Sequence, residues 1–218
     1  MNTIDVKKLS YKEKINLAWS KKTSVELLSV LAQDEHPDIR EAVAENPNTP
    51  RSTLVMLAKD ENRGVRLEVA YNKSTPSEVL ATLADDEYYR IRLKIAGDEK
   101  LPIEALQVLA SDKEPDVRAA VVKNRNTPTE LLAMLAKDED SGVRYEVAQN
   151  ENTTTEILSP LAKDEDESVR FMVACNKNTS AKDLRKLVRD KDAYVKEEAS
   201  KNLAKLKLDA KRSGKELI

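Results

Sequence analysis

NRNTPTELLAMLAKDEDSGVRYEVAQ, residues 124 to 149, is one copy of a pattern that returns every 26 residues along nearly the whole chain. Two columns fix the count. Aspartate recurs at Asp34, Asp60, Asp86, Asp112, Asp138, Asp164 and Asp190, and six residues after each stands Arg40, Arg66, Arg92, Arg118, Arg144, Arg170 or Lys196. Seven repeats therefore begin at Ser20, Asn46, Asn72, Asp98, Asn124, Asn150 and Asn176, without insertions. A fixed period of this length marks a solenoid, in which each unit buries its apolar face only against its neighbours.

Each repeat contains the signals of two helices. Thr75-Pro76-Ser77-Glu78 and Thr127-Pro128-Thr129-Glu130 predict Thr at the N-cap, Pro at the first helical position and Glu at the third. Leu132, Leu135 and Ala136 then share one helical face, as do Leu28, Leu31, Ala32 and Leu158, Leu161, Ala162. The second helix starts after Asn62, Asp140, Asp166 or Asp192, with Pro37 and Pro115 at its first position in two repeats. Its buried side is Val143, Val147 and Ala148, matched by Ile39, Val43, Ala44 and by Val169, Val173, Ala174. It ends at Asn72, Asn124, Asn150 or Asn176, where Asn is expected to adopt the left-handed conformation that stops a helix. Helices of about ten residues are marginal alone, so stacking must stabilise them.

The expected fold is all-α, a right-handed α-solenoid of seven 26-residue two-helix repeats with helical caps. Residues 1–19 form a lead-in and a capping half-repeat, in which Ser10 and Glu13 make a capping box for a helix over about Tyr11 to Trp19. Residues 20–201 are the solenoid. Residues 202–218 are the C-terminal cap and tail, read as a longer polar-faced helix through Asn202 to Leu208 that closes this end and then frayed chain. Two repeats depart from the pattern. Gly97 with Asp98-Glu99-Lys100-Leu101-Pro102 suggests a looser joint, and Pro160 should kink its helix by removing the bond to the Glu156 carbonyl.

Composition excludes several classes. With 4% aromatics, 35% charged residues and four glycines the chain reads as helical, since it lacks the runs that strands favour. Its one cysteine, Cys175, allows neither a disulfide framework nor a Cys-rich metal site and suits a reducing compartment. The N-terminus has no apolar core of signal-peptide length, and no stretch approaches 18 apolar residues. A soluble cytoplasmic protein with no membrane partner is expected. Net charge is uneven: residues 176–218 carry +6 and residues 1–175 carry −8. The basic end is read first as a solvated cap, with nucleic acid as the less favoured partner there.

Asn46-Pro47-Asn48-Thr49-Pro50, Asn124-Arg125-Asn126-Thr127-Pro128, and Leu135-Ala136-Lys137-Asp138-Glu139-Asp140 with Val143-Arg144 resemble the leucine-rich repeat variant family. The resemblance covers residues 10–201. It implies an all-helical architecture related to HEAT repeats and, in function, an interaction scaffold. Some members of that family carry an iron-sulfur module on N-terminal cysteines; this sequence lacks those cysteines, and no cofactor is expected.

An inventory of reactive groups favours no chemistry. His36 is the single histidine and falls at the N-cap position of a second helix, where it reads as a capping or turn residue; HEAT-like hydroxylases with two irons need several His-Glu pairs. Gly64, Gly97, Gly142 and Gly214 are too scattered for a phosphate loop. The Asp and Arg columns read as ties between repeats, with Asp at the end of one helix pairing with Arg on the next and with turn N–H groups. A HEAT-like DNA glycosylase would need a basic face, which the charge of −8 over residues 1–175 disfavours.

The aromatics carry the remaining signal, because none of the eight falls in the buried columns of the full repeats. At 100° per residue, Leu67, Leu93, Tyr145 and Phe171 form one column turned from the core, and Trp19, Tyr71 and Cys175 an adjacent one. In HEAT-like folds the second helices line the concave face. Trp19, Leu67, Tyr71, Leu93, Tyr145 and Phe171 are therefore the candidate partner-binding residues, and a protein or peptide in that groove is the expected partner. The competing role is to fill gaps between neighbouring second helices. The sequence thus favours a non-enzymatic interaction scaffold, ahead of a nucleic-acid binder or glycosylase and of an assembly factor for a cofactor-bearing protein. It leaves the partner and the oligomeric state open.

Overall fold

A computed structural model describes residues 5–213, which contain helices and turns and no strand. Residues 1–4 of the expected lead-in and residues 214–218 of the expected frayed tail lie outside them. After a 3-10 turn at Val6–Lys8, the helices of the first compact unit, which ends at Leu109, are α1 (Tyr11–Trp19), α2 (Val25–Leu31), α3 (Pro37–Glu45), α4 (Arg51–Leu57), α5 (Arg63–Tyr71), α6 (Ser77–Thr82), α7 (Tyr89–Ala96) and α8 (Ile103–Leu109). The second unit, from Ala110, holds α9 (Pro115–Lys123), α10 (Thr129–Leu135), α11 (Ser141–Gln149), α12 (Thr155–Leu161), α13 (Glu167–Cys175), α14 (Ala181–Leu187) and α15 (Ala193–Ser213). Even numbers are the first helices of the repeats, and odd numbers from α3 onward are the second helices. α1 is the half-repeat that precedes them.

In the first unit α1, α3, α5 and α7 pack side by side, with α2 and α4 laid against them and α8 against α7. The second unit repeats this with α9, α11, α13 and α15 side by side and α10, α12 and α14 against them. The core lies between these two layers, where the expected columns are buried: Leu28, Leu31, Ile39 and Val43 in one unit, and Leu132, Leu135, Val143, Val147, Leu158, Val169 and Val173 in the other, are all at or below 1% exposure. Burying one such side chain fully contributes about 1.5–3 kcal/mol. Ala136 is only half-buried. Second-helix starts follow expectation: Asn62 Oδ1 accepts from the N–H of Gly64 and Val65, Asp140 from Gly142 and Val143, and Asp192 from Tyr194 and Val195. The Ser10–Glu13 capping box of α1 is present as well.

Two local expectations are corrected. Pro50, Pro76 and Pro128 are N-caps with extended backbone, not first helical residues. The threonine before each cannot cap the helix that follows. Thr49, Thr75 and Thr127 are buried and turn backward instead, donating their hydroxyls to the carbonyls of Val43, Val69 and Val121 at 2.5 to 2.7 Å. Thr153 and Thr179 do the same to Val147 and Val173. Each threonine thus closes the end of the preceding helix, whose last carbonyls have no partner within the helix.

The asparagines that end the second helices are not left-handed. Asn46, Asn72, Asn124, Asn150 and Asn176 have φ between −64° and −71° and ψ between 119° and 129°. The longer C-terminal helix is the end of α15, which runs unbroken through Lys201 and Asn202 to Ser213. Residues 203–208 hold good helix formers and no turn residues, so nothing stops it. Pro160 does not shorten α12, which has seven residues as α10 does.

Candidate partner-binding face

Most recurring polar side chains are consumed in joining one repeat to the next. In the first unit Arg40 Nε and Nη2 hold both carboxylate oxygens of Asp60 at 2.7 and 2.9 Å, and Arg66 holds Asp86 in the same way. Lys14 serves Asp34 at 2.7 Å. In the second unit the pairs are Arg118–Asp138, Arg144–Asp164 and Arg170–Asp190. Each arginine thus pairs with the aspartate twenty residues ahead, in the following repeat. From the aspartate six residues behind, which sequence spacing made the obvious mate, it takes only the backbone carbonyl, as Arg144 Nη1 does from Asp138 at 2.9 Å. The aspartate also accepts the N–H two residues on, as Asp138 does from Asp140. The expected tie between repeats is therefore present, through this pairing.

Burial would raise the carboxyls of Asp34, Asp138, Asp164 and Asp190, but hydrogen bonds from Lys14 or an arginine, and from turn N–H groups, outweigh it and hold all four below the usual value. Folded carboxyls with depressed pKa add stability that is complete above the unfolded value and is lost as pH falls through the folded one. Glu41 and Glu68 act in the opposite sense, because burial raises both and neighbouring carboxylates add to it. The thermal midpoint is therefore expected to be highest near about pH 5 and to fall steeply below about pH 4. A midpoint in circular dichroism that held steady down to about pH 3 would show that the aspartates contribute nothing.

A second set of ties, unforeseen from sequence, uses the helix-ending asparagines. Asn72 Nδ2 donates to the carbonyls of Ala44 and Asn46 at 2.6 and 3.0 Å, while its Oδ1 accepts from Ser74 N–H. Asn46 does the same to Ala18 and Ser20, and Asn176 to Ala148 and Asn150. Asn202 keeps its bond to the Ala174 carbonyl from within α15. At Asp98 the side chain still accepts from Lys100 N–H, and Lys100 Nζ reaches the Lys73 carbonyl. The sequence signal was six asparagines at one spacing, from Asn46 to Asn202, in a chain with four glycines.

What these ties leave free is the outer face of the second helices. None of the eight aromatics is buried. The six candidates divide by exposure. Trp19 on α1 and Tyr71 on α5 are 57% and 56% exposed. Leu67 on α5 and Leu93 on α7 in the first unit, and Tyr145 on α11 and Phe171 on α13 in the second, are half-buried. Cys175 is exposed at the end of α13. A cavity of about 510 Å³ opens beside Trp19, lined by Lys21, Glu45, Asn46 and Pro47. In the second unit a cavity of about 590 Å³ lies among Val122, Lys123, Glu146, Gln149 and Asn152.

Sequence reasoning passed over Tyr88 and Tyr89, which meet edge to face at the start of α7 with centroids 6.0 Å apart and Arg63 over the Tyr88 ring. His36 begins α3 without capping it; its Nδ1 lies 3.0 Å from Asp34 and its ring meets Tyr11 edge-on. Among the described residues no group of three His, Cys, Asp or Glu side chains is placed to hold a metal ion. No described helix is long and apolar enough to cross a membrane.

These repeats are those of an α-solenoid. The leucine-rich repeat variant model matches residues 37–62, 63–87 and 115–140. A solved leucine-rich repeat variant, described as having a novel repetitive structural motif, is 30% identical, with 84% of this chain and 73% of that one covered and a TM-score of 0.69. The chain belongs to the leucine-rich repeat variant family. The E. coli protein YibA aligns at 18% identity over 90% of this chain and 98% of its own, with a TM-score of 0.45. An archaeal HEAT-like repeats protein from Thermococcus onnurineus aligns at 14% over 90% and 80%, with a TM-score of 0.25. A search of curated proteins found no match. Repeat families of this kind are generally non-enzymatic scaffolds that bind proteins.

Proposed function

We propose that this chain is a non-enzymatic scaffold that binds a protein segment across the outer face of its second helices. The observation that carries this reading is the exposure of Trp19 and Tyr71, the chain's one tryptophan and a tyrosine of the same 26-residue column. Large exposed rings cost solubility, and tryptophan and tyrosine are the usual anchors of protein interfaces. The Asp and Arg columns are engaged with each other, which supports a structural role for the groups best placed to look catalytic. The single cysteine supports a cytoplasmic setting.

The experiment is a pull-down from the native cell with wild type and with Trp19→Ala plus Tyr71→Ala. Truncating one anchor costs about 2 kcal/mol of binding, so the double variant is expected to lose at least about tenfold in affinity. Its circular dichroism spectrum should match wild type. Tyr145→Ala with Phe171→Ala applies the same test to the second unit. Full retention of partners by both variants would show that this face is not the site.

A further inference from the structure

Trp19, Glu45 and Tyr71 occupy one column at 26-residue steps on α1, α3 and α5, and α3 packs against both neighbours. An exposed carboxylate therefore lies between two exposed aromatic side chains, beside the cavity at Trp19. Two more carboxylates share the face. Burial raises the carboxyl of Glu68, and the charges of Glu45 and Glu41 raise it further; Glu41 is raised by burial and by Asp38 and Asp60, with Arg40 offsetting part. The cations nearby are largely committed: Arg40 is bound to Asp60, and Lys94 lies over the Tyr71 ring, 3.8 Å from Asp98. Lys21 borders the cavity from the turn after α1.

Resting on the scaffold reading, we propose that the face of α1, α3 and α5 binds an extended peptide segment bearing lysine or arginine, with its cation against Glu45 and its flanks on Trp19 and Tyr71. Charge complementarity favours this occupant. Glu68 beside Glu45 and Glu41 concentrates negative charge that an incoming cation would offset, and aromatic faces attract the same group. Neighbouring helix axes lie about 10 Å apart, so crossing from α1 to α5 spans about 20 Å, or about six extended residues.

Trp19 is the chain's one tryptophan, so its fluorescence reports on this site in the unlabelled full-length protein. The probes are three eight-residue peptides that alternate alanine with lysine, with acetyl-lysine or with glutamate. The lysine peptide is expected to change the emission saturably and with salt sensitivity, and the other two are not. Glu45→Gln with Glu68→Gln, which keeps side-chain shape, should weaken that binding at least about tenfold. Equal binding of the acetyl-lysine peptide would overturn the cation while leaving the scaffold reading intact. No saturable change with any peptide, or unaltered affinity in the Gln variant, would also overturn the proposal. Sedimentation of the full chain alone, showing association that the Gln variant abolishes, would overturn it in favour of a second copy.

Discussion

Asp190→Ala is expected to lower the unfolding free energy by about 3–5 kcal/mol, the usual cost of leaving a buried charge without its partner. The orphaned group is Arg170, which is 5% exposed and gives two parallel bonds to Asp190 at 2.7 and 3.0 Å. Elsewhere a neighbouring carboxylate can take over part of the charge. Glu165 lies 3.6 Å from Arg144, Glu61 3.8 Å from Arg40, and Glu87 3.2 Å from Arg66. After Asp190 the corresponding residue is Lys191, so Arg170 has no glutamate in that place, although Glu167 and Asp192 also act on it. Asp190→Ala should therefore be more damaging than Asp164→Ala. Urea unfolding followed by circular dichroism measures both, and equal losses would mean that the exposed glutamates do not share the load.

Asn72→Asp should destabilise at least as much as Asn72→Ala, although aspartate is nearly the same shape. Asn72 is 8% exposed and its amide nitrogen serves two carbonyls. Alanine leaves the Ala44 carbonyl and the Ser74 N–H without this partner, while the Asn46 carbonyl keeps the Thr49 N–H, and each orphaned buried group costs about 1–3 kcal/mol. Aspartate restores the acceptor for Ser74 but turns a second oxygen toward the two carbonyls. If asparagine stood there for its backbone preferences, aspartate would be tolerated, because both residues favour turns. Thermal melts of the two variants distinguish these accounts: a wild-type midpoint for Asn72→Asp would remove the amide from the list of ties.

The 26-residue period made the core legible because periodicity reports which side faces inward. Leu132, Val143 and Val147 needed no structure to be placed. The starts of the second helices were legible for a related reason: Asn62 and Asp140 use local contacts, within three residues, that sequence order displays. What it could not display is the direction in which a polar side chain reaches. Thr127 before Pro128 has the form of a helix start, yet its hydroxyl turns back to Val121. Pro128 itself is extended, at φ −71° and ψ 156°, so the helix begins only after it. Arg144 stands six residues from Asp138 and twenty from Asp164, and only packing of successive turns shows that the carboxylate it holds is the farther one. At the candidate face the aromatic columns were legible. The contrast between exposed Trp19 and half-buried Phe171 was not, because it depends on what neighbouring repeats place beside each ring.

The central proposal is a division of labour, in which the Asp, Arg and Asn columns hold the repeats together while the exposed rings of Trp19 on α1 and Tyr71 on α5 meet a partner. Urea unfolding of Trp19→Ala plus Tyr71→Ala beside Asp190→Ala tests it most directly. Exposed substitutions usually change stability by about 0.5 kcal/mol or less, and the contact of Lys94 with Tyr71 adds about 0.5–1 kcal/mol. The account predicts that the aromatic variant unfolds close to wild type while Asp190→Ala loses several kcal/mol. An aromatic variant that unfolds as early as Asp190→Ala, or an Asp190→Ala that unfolds with wild type, would contradict it.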